Sequence, residues 1–161
     1  MKITILSIGK FRNQDANQKI FLDYQKRLDW KIELKELELK NGNSANLQAS
    51  SGGEIIKNKE AELLLSKAPS SAKIIALDEK GKMLTSIEFA KQIRKYQDEG
   101  NSNLAFIIGG AGGLGDDIKK KADLILSFSA MTMPHIMIRS FLIEQIYRAQ
   151  TIINHHPYHR E

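Results

Sequence analysis

The chain has 161 residues, 42% of them hydrophobic and 27% charged, with a net charge of +5 and no cysteine. A chain of that length forms one domain burying roughly two-thirds of its unfolded surface, and no apolar run approaches the ~20 residues of a membrane helix. Without cysteine there are no disulfides and no thiolate metal site, which fits the cytosol, while a pI near 9.3 permits a polyanionic partner.

Ile3, Ile5, Leu6 and Ile8 form a short apolar run that stops at Gly9. No cleavage-like site follows it, so it predicts a first strand and not a signal peptide. Ile20, Phe21, Tyr24 and Leu28 recur at helical spacing. Ile32, Leu34, Leu37 and Leu39 alternate with charges but slip by one at Lys35–Glu36, which predicts a strand with a bulge. Asn41 to Gly53, rich in Asn, Ser and Gly, predicts a mobile loop. A helix follows from Glu54 to Lys67 with Leu63 to Leu65 towards the core, ended by Pro69-Ser-Ser. Lys73 to Leu77 reads as a strand running into a turn, Asp78-Glu-Lys-Gly81. Thr85 and Glu88 have capping-box spacing and open a helix to about Gln97, broken by Gly100. Leu104 to Ile108 is a buried strand, Asp116 to Lys121 a short polar helix, and Leu124 to Phe128 a further strand. Pro134 suits a first helical position and opens the last helix. Strands alternating with helices in this rhythm predict an α/β domain: a mostly parallel sheet with helices on both faces.

Between a strand and a helix lies Gly109-Gly-Ala-Gly-Gly-Leu-Gly115. Gly110, Gly112 and Gly115 satisfy G-x-G-x-x-G, but the next strand ends Ser127-Phe128-Ser129, without the carboxylate that a dinucleotide ribose needs. A P-loop is excluded by Asp116, which stands where its lysine belongs. What remains is a glycine turn at the carboxyl end of a parallel strand, where α/β sheets bind ligands and where a missing side chain lets a ligand approach the backbone. Two other strand ends converge there: Leu77 to Gly81, and Phe128-Ser129-Ala130-Met131-Thr132-Met133. The second combines two methionines and a phenylalanine with small polar residues, which suits a flat heterocycle or plain core filling.

The last helix is apolar on every side when projected at ~100° per residue. Ile136 and Tyr147 share one direction, Met137 and Phe141 another, and Leu142, Ile146 and Ala149 a third. Such a helix needs covering all round, which predicts a two-fold interface. Glu144 and Arg148 stand four apart, as in a surface ion pair, and His135 and Arg139 read equally as caps or phosphate contacts. Three of the four histidines lie in the last seven residues, with Tyr158 and Arg160. These are groups suited to proton handling and anion binding, on a tail anchored by the helix before it.

In combination, Leu77-Asp…Gly81, Ile108-Gly-Gly-x-x-Gly113-Leu114, Leu126-Ser…Met131-Thr-x-Pro134-His135…Arg139, Glu144…Tyr147-Arg148-Ala149 and Pro157-Tyr-His-Arg-Glu161 resemble the bacterial large-subunit (23S) rRNA pseudouridine N3-methyltransferases of the SPOUT class. The resemblance spans the whole chain. It implies a C-terminal trefoil knot, a cytoplasmic homodimer acting on assembled ribosomes, S-adenosylmethionine as methyl donor, and no metal. It also implies a donor pocket of Leu77, Gly109 and Phe128 to Met133, with Arg148, Tyr158, His159 and Arg160 as the catalytic group. His159 and Tyr158 are alternative bases, and Arg148 and Arg160 alternative partners for an anion or a phosphate. The same charge would serve a non-enzymatic RNA- or ribosome-binding protein.

Overall fold

The computed structural model describes residues 1–13, 15–39 and 52–160. In chain order the elements are β1 (Lys2–Ile8), α1 (Ala16–Arg27), β2 (Lys31–Leu37), α2 (Gly52–Lys67) and β3 (Lys73–Met83). They continue with α3 (Ser86–Asp98), β4 (Asn103–Ile108), α4 (Asp116–Lys121), β5 (Leu124–Ser127) and α5 (His135–Ile153). The strands form one sheet in the order β2-β1-β4-β3-β5, and all its ladders are parallel. On one face Phe21 of α1, Phe89 and Ile93 of α3 and Leu142 and Ile146 of α5 pack against Ile3, Ile5, Ile75 and Phe106. On the other, Ala61 and Leu64 of α2 and Ile118 of α4 pack against Leu6, Ala76 and Ile107. Both faces are therefore covered, as parallel sheets require.

Local signals hold where they are strong. Thr85 and Glu88 form the capping box reciprocally, and α3 starts at Ser86. Gly100 turns the chain out of α3 at φ +81°, and α4 has the predicted limits. Pro134 is the N-cap of α5 and not its first helical residue.

Two expectations are corrected. The strand at Lys31–Leu37 carries no bulge, because its register with β1 is unbroken from Lys2↔Lys31 to Ile8↔Leu37. Ile32, Leu34 and Glu36 share one face, and the apparent slip arises because Glu36 occupies an inward position to meet a buried arginine. Asp78–Gly81 does not end its strand. It is a shift in register inside β3, whose pairing with β5 resumes at Lys82↔Leu126, and a Cβ on Gly81 would lie 2.8 Å from the β5 backbone. On α5, Leu142, Ile143, Ile146 and Ala149 are buried in the chain's own core, and Met137 (40% exposed) and Phe141 (48%) are the large hydrophobics left in solvent. The predicted loop at Asn41–Gly53 lies outside the described residues up to residue 51, and its last two residues open α2.

That buried arginine is Arg139, fully enclosed. Its guanidinium donates to Ser7 Oγ (2.8 Å), Glu36 Oε1 (2.9 Å) and the carbonyls of Ile8 (2.8 Å) and Gly9 (3.0 Å). It also lies over the Phe11 ring, 4.9 Å from its centre. Glu36 Oε1 in turn accepts the Phe11 amide at 2.6 Å. Arg139 is thus a joint between α5, the end of β1 and β2, and the phosphate-contact reading is excluded by its burial.

Candidate active site

The carboxyl ends of β3, β4 and β5 open onto a cavity of about 700 Å³. Its wall includes Leu77, Gly109, Phe128, Ser129, Met131, Thr132 and Met133, so seven of the eight residues singled out for a pocket meet around one space. Ala130 does not line it. The Gly109 loop is folded on itself: the Gly113 amide donates to Gly110 O at 3.0 Å, and Gly113 takes φ +79°. A Cβ on Gly109 would stand 2.7 Å from Gly113 O and 2.9 Å from its carbonyl carbon. Bare backbone is required here.

Sequence reasoning missed the parts that hold this loop. Glu60 of α2, half-buried, faces Gly110, where a Cβ would lie 2.9 Å from both its carboxylate oxygens. Burial pushes the Glu60 carboxyl above its ordinary range, and the Gly110 N–H only partly opposes this. At the other end of the loop, a Cβ on Gly115 would lie 2.8 Å from Cβ of Ala61. Opposite, Thr132 Oγ1 donates to Glu79 Oε2 (2.8 Å) and Ser127 Oγ to Glu79 O (3.1 Å), fastening the segment after β5 to the shifted part of β3. A glutamate fifty residues before the glycine it faces leaves no local pattern to read.

Charge at the rim is mixed. Burial works against the Asp78 anion, but Lys119 Nζ at 2.7 Å and the Lys80 amide hold its pKa below the usual value. His135, on the first turn of α5, lines the cavity. Burial and then the Arg139 charge push its pKa down, so its imidazole is neutral at neutral pH. Its Nε2 would be 3.1 Å from a Cβ on Gly9.

The tail forms a second cluster. Glu144 Oε1 accepts from Arg148 Nε (3.0 Å), from Arg148 Nη2 and from the Tyr158 hydroxyl (3.1 Å). The Tyr158 hydroxyl is also 3.1 Å from that of Tyr24 on α1, its ring packs edge-on against Tyr147 at 4.8 Å, and the Arg148 guanidinium lies over it at 4.8 Å. Arg148 Nη1 is 3.4 Å from His159 Nδ1. An arginine can only donate, so this contact makes Nδ1 the acceptor and puts the proton of the neutral ring on Nε2. That Nε2 is buried without a partner. Burial opposes the Arg148 charge, yet Glu144 outweighs it and raises the pKa. Burial, the Tyr24 hydroxyl and Glu144 together push the Tyr158 phenol well above its ordinary value. Arg160 is exposed, with no hydrogen-bond partner among the described residues. Tyr24 and Glu144 hold this cluster together; Glu144 was legible as the ion-pair partner of Arg148, Tyr24 was not.

Pocket and tail do not meet within one chain. Ile138 lines the cavity, and ten residues at ~1.5 Å each separate it from Arg148, about 15 Å along α5. Close to the cavity, Met131 (77% exposed), Met137 and Phe141 leave apolar surface in solvent.

Among the described residues no helix is long and apolar enough to cross a membrane. The sequence pattern of the family described as "Predicted SPOUT methyltransferase" matches residues 1–159. The chain is 41% identical over 160 residues to the ribosomal RNA large subunit methyltransferase H of Rhodospirillum centenum, covering 99% of each chain. To the protein of that name in Alkaliphilus oremlandii it is 43% identical over 161 residues, 99% of this chain and 100% of the other. Its fold is similar to that of a probable methylase family protein from Haemophilus influenzae Rd KW20, with a TM-score of 0.58 and 13% identity over 99% of this chain and 70% of that one. With the family pattern matched along nearly its whole length, the chain belongs to the SPOUT methyltransferases.

Proposed function

We propose that this protein transfers a methyl group from S-adenosylmethionine to N3 of a pseudouridine in large-subunit rRNA, acting on assembled ribosomes as a cytoplasmic homodimer with the knotted C-terminal path implied for its class. One observation carries the reading: a ligand cradle at three strand ends stands about 15 Å from a cluster of proton-handling groups on the same helix. A second copy of the chain, docked through Met131, Met137 and Phe141, brings the tail of one subunit over the cradle of the other.

The cradle suits the donor. Leu77, Ile108, Phe128 and Ile138 offer apolar walls to a flat heterocycle, and the backbone from Gly109 to Gly113 offers donors and acceptors that a side chain on Gly109 would block. The donor supplies an electrophilic methyl carbon. The chain must hold the acceptor nitrogen about 3 Å from it, in line with the breaking bond, and must remove the imide proton. Tyr158 is poorly placed to be the base, since its phenol gives its proton to Glu144 and holds it tightly. His159 is the remaining group in this cluster with a nitrogen lone pair, on the Nδ1 that faces Arg148, and it takes the imide proton there as Arg148 turns to the anion. Arg148 and Arg160 supply positive charge for the imide anion left when the N–H bond breaks.

Glu60 makes the cradle sensitive to one distant carboxylate. Alanine at position 60 removes the carboxylate that packs against Gly110, which is expected to loosen the loop and weaken donor binding roughly tenfold by calorimetry. Glutamine, of nearly the same shape, is expected to keep most of the affinity; equal affinity in the alanine variant would remove Glu60 from the site.

The shared site is tested by complementation. Gly109→Phe removes the cradle and deletion of Tyr158 to Glu161 removes the tail, so each homodimer is expected to be inactive towards ribosomes. Co-expressed, the two form mixed dimers in which an intact cradle meets an intact tail, and methyl transfer returns. Activity in the truncated homodimer would exclude the tail from the chemistry, and silence in mixed dimers that still bind the donor would place tail and cradle apart.

A further inference from the structure

At the far end of α5 from the donor cradle, a cleft of about 240 Å³ lies between α3 and the helix terminus. Its apolar lining is Ala90, Ile152 and Ile153, and its remaining lining residues are Lys91, Arg94 and His155. No carboxylate lines it. Lys91 makes no ion pair among the described residues. Arg94 is held through Nε by Asp98 at 3.0 Å, one turn further along α3. That pair is exposed on both sides, so it orients the guanidinium while contributing little to stability.

Cations near a helix C-terminus also complement its dipole, and that alone would explain a lysine and an arginine here. It does not explain His155. This residue sits in the left-handed region at φ 55°, the single non-glycine residue with positive φ among those described. Its amide donates to Ile152 O at 3.2 Å, and the His156 amide to Thr151 O at 2.9 Å. These bonds belong to a terminating turn that glycine adopts without steric cost. An imidazole is kept on the lip of the cleft where the backbone would prefer no side chain at all, and strain of this kind marks a site where the side chain itself is used.

We propose that this cleft binds backbone phosphates of the rRNA strand flanking the target nucleotide. Lys91 and Arg94 give the positive charge, the imidazole of His155 an N–H donor in either protonation state, and the aliphatic floor a surface that holds little competing water. The cleft directly precedes the tail, so a strand gripped here runs on towards Tyr158, His159 and Arg160. This rests on the rRNA reading above, and contacts to phosphates here fix the register of the substrate strand.

The test uses the full chain, purified assembled ribosomes and a potassium chloride titration. Removing one phosphate-binding side chain lowers the slope of log affinity against log salt by about one. Lys91→Gln with Arg94→Gln is therefore expected to reduce the slope by about two and to weaken binding roughly tenfold at physiological salt, with S-adenosylmethionine affinity unchanged. His155→Gly is expected to weaken RNA binding while leaving the melting temperature equal or higher, because glycine relieves the strained backbone. A merely structural histidine would show no loss of RNA binding. Wild-type affinity and slope in all three substitutions, with ribosome binding itself intact, would overturn the cleft and leave the methyltransferase reading standing. Failure of the wild-type protein to bind ribosomes would overturn the RNA reading and the cleft together.

Discussion

Replacing Arg139 with methionine is expected to destabilise the protein by about 3 kcal/mol, read as a fall in the urea midpoint at unchanged slope. Methionine fills part of the volume but gives back none of the four hydrogen bonds to Ser7, Glu36, Ile8 and Gly9. Two carbonyls, a hydroxyl and a carboxylate then lose their donor together. Loss of one partner from a buried pair costs about 3–5 kcal/mol. The lower end applies, since the Glu36 side chain keeps 25% exposure and its bond to the Phe11 amide. Lysine should recover only part of the loss, because a single ammonium cannot reach four acceptors in a plane. A loss below about 1 kcal/mol in the methionine variant would mean that the joint between α5, β1 and β2 is held by its apolar contacts alone.

The second large effect is expected at Gly109, where even alanine should lower donor affinity by about a hundredfold or more. Its Cβ would meet the Gly113 carbonyl at 2.7 Å and 2.9 Å and Leu114 Cδ2 at 3.0 Å. Backbone cannot swing aside as a flexible side chain does, so the loop must open and the cavity wall changes shape. Most of the core, from Ile3 to Ile146, lies away from the loop, so circular dichroism and the far-ultraviolet melting curve should stay close to wild type. Calorimetry with S-adenosylmethionine separates the two readouts, and full affinity in a natively folded variant would move the donor site elsewhere.

The contrast between what was and was not readable follows sequence distance. The capping box of α3, the limits of α4 and the glycine exit at Gly100 depend on residues within four positions of each other, and each is visible as a local pattern. Alternation failed in β2 because Glu36 stands at an inward position, a choice that makes sense only with Arg139 in view, 103 residues away. Asp78 to Gly81 looked like a turn from its polar and glycine content, but β3 continues because β5 re-pairs with it beyond the shift. In the pocket, residue types at strand ends carried the reading, since the carboxyl edge of a parallel sheet gathers them. Its supports did not show: Glu60 meets Gly110, and Tyr24 meets Tyr158 across 134 residues. Helical projection found α5 apolar all round and could not divide that surface between its own core and a partner. The division is a matter of what α1 and α3 cover.

The order in which this chain leaves the ribosome bears on how it folds. α5 supplies Leu142, Ile143, Ile146 and Ala149 to the larger core, and its Arg139 closes onto the first strand, 132 residues away. A nascent chain that has not yet extruded α5 has only α1 and α3 to cover the sheet face that carries Ile3 and Ile5. Folding piecewise from the N-terminus, as many domains do during synthesis, therefore leaves this core partly open until α5 has been extruded. Until then the apolar strands β1 and β4 stay open to wrong partners, and the Arg139 joint to the first strand is the step that closes them.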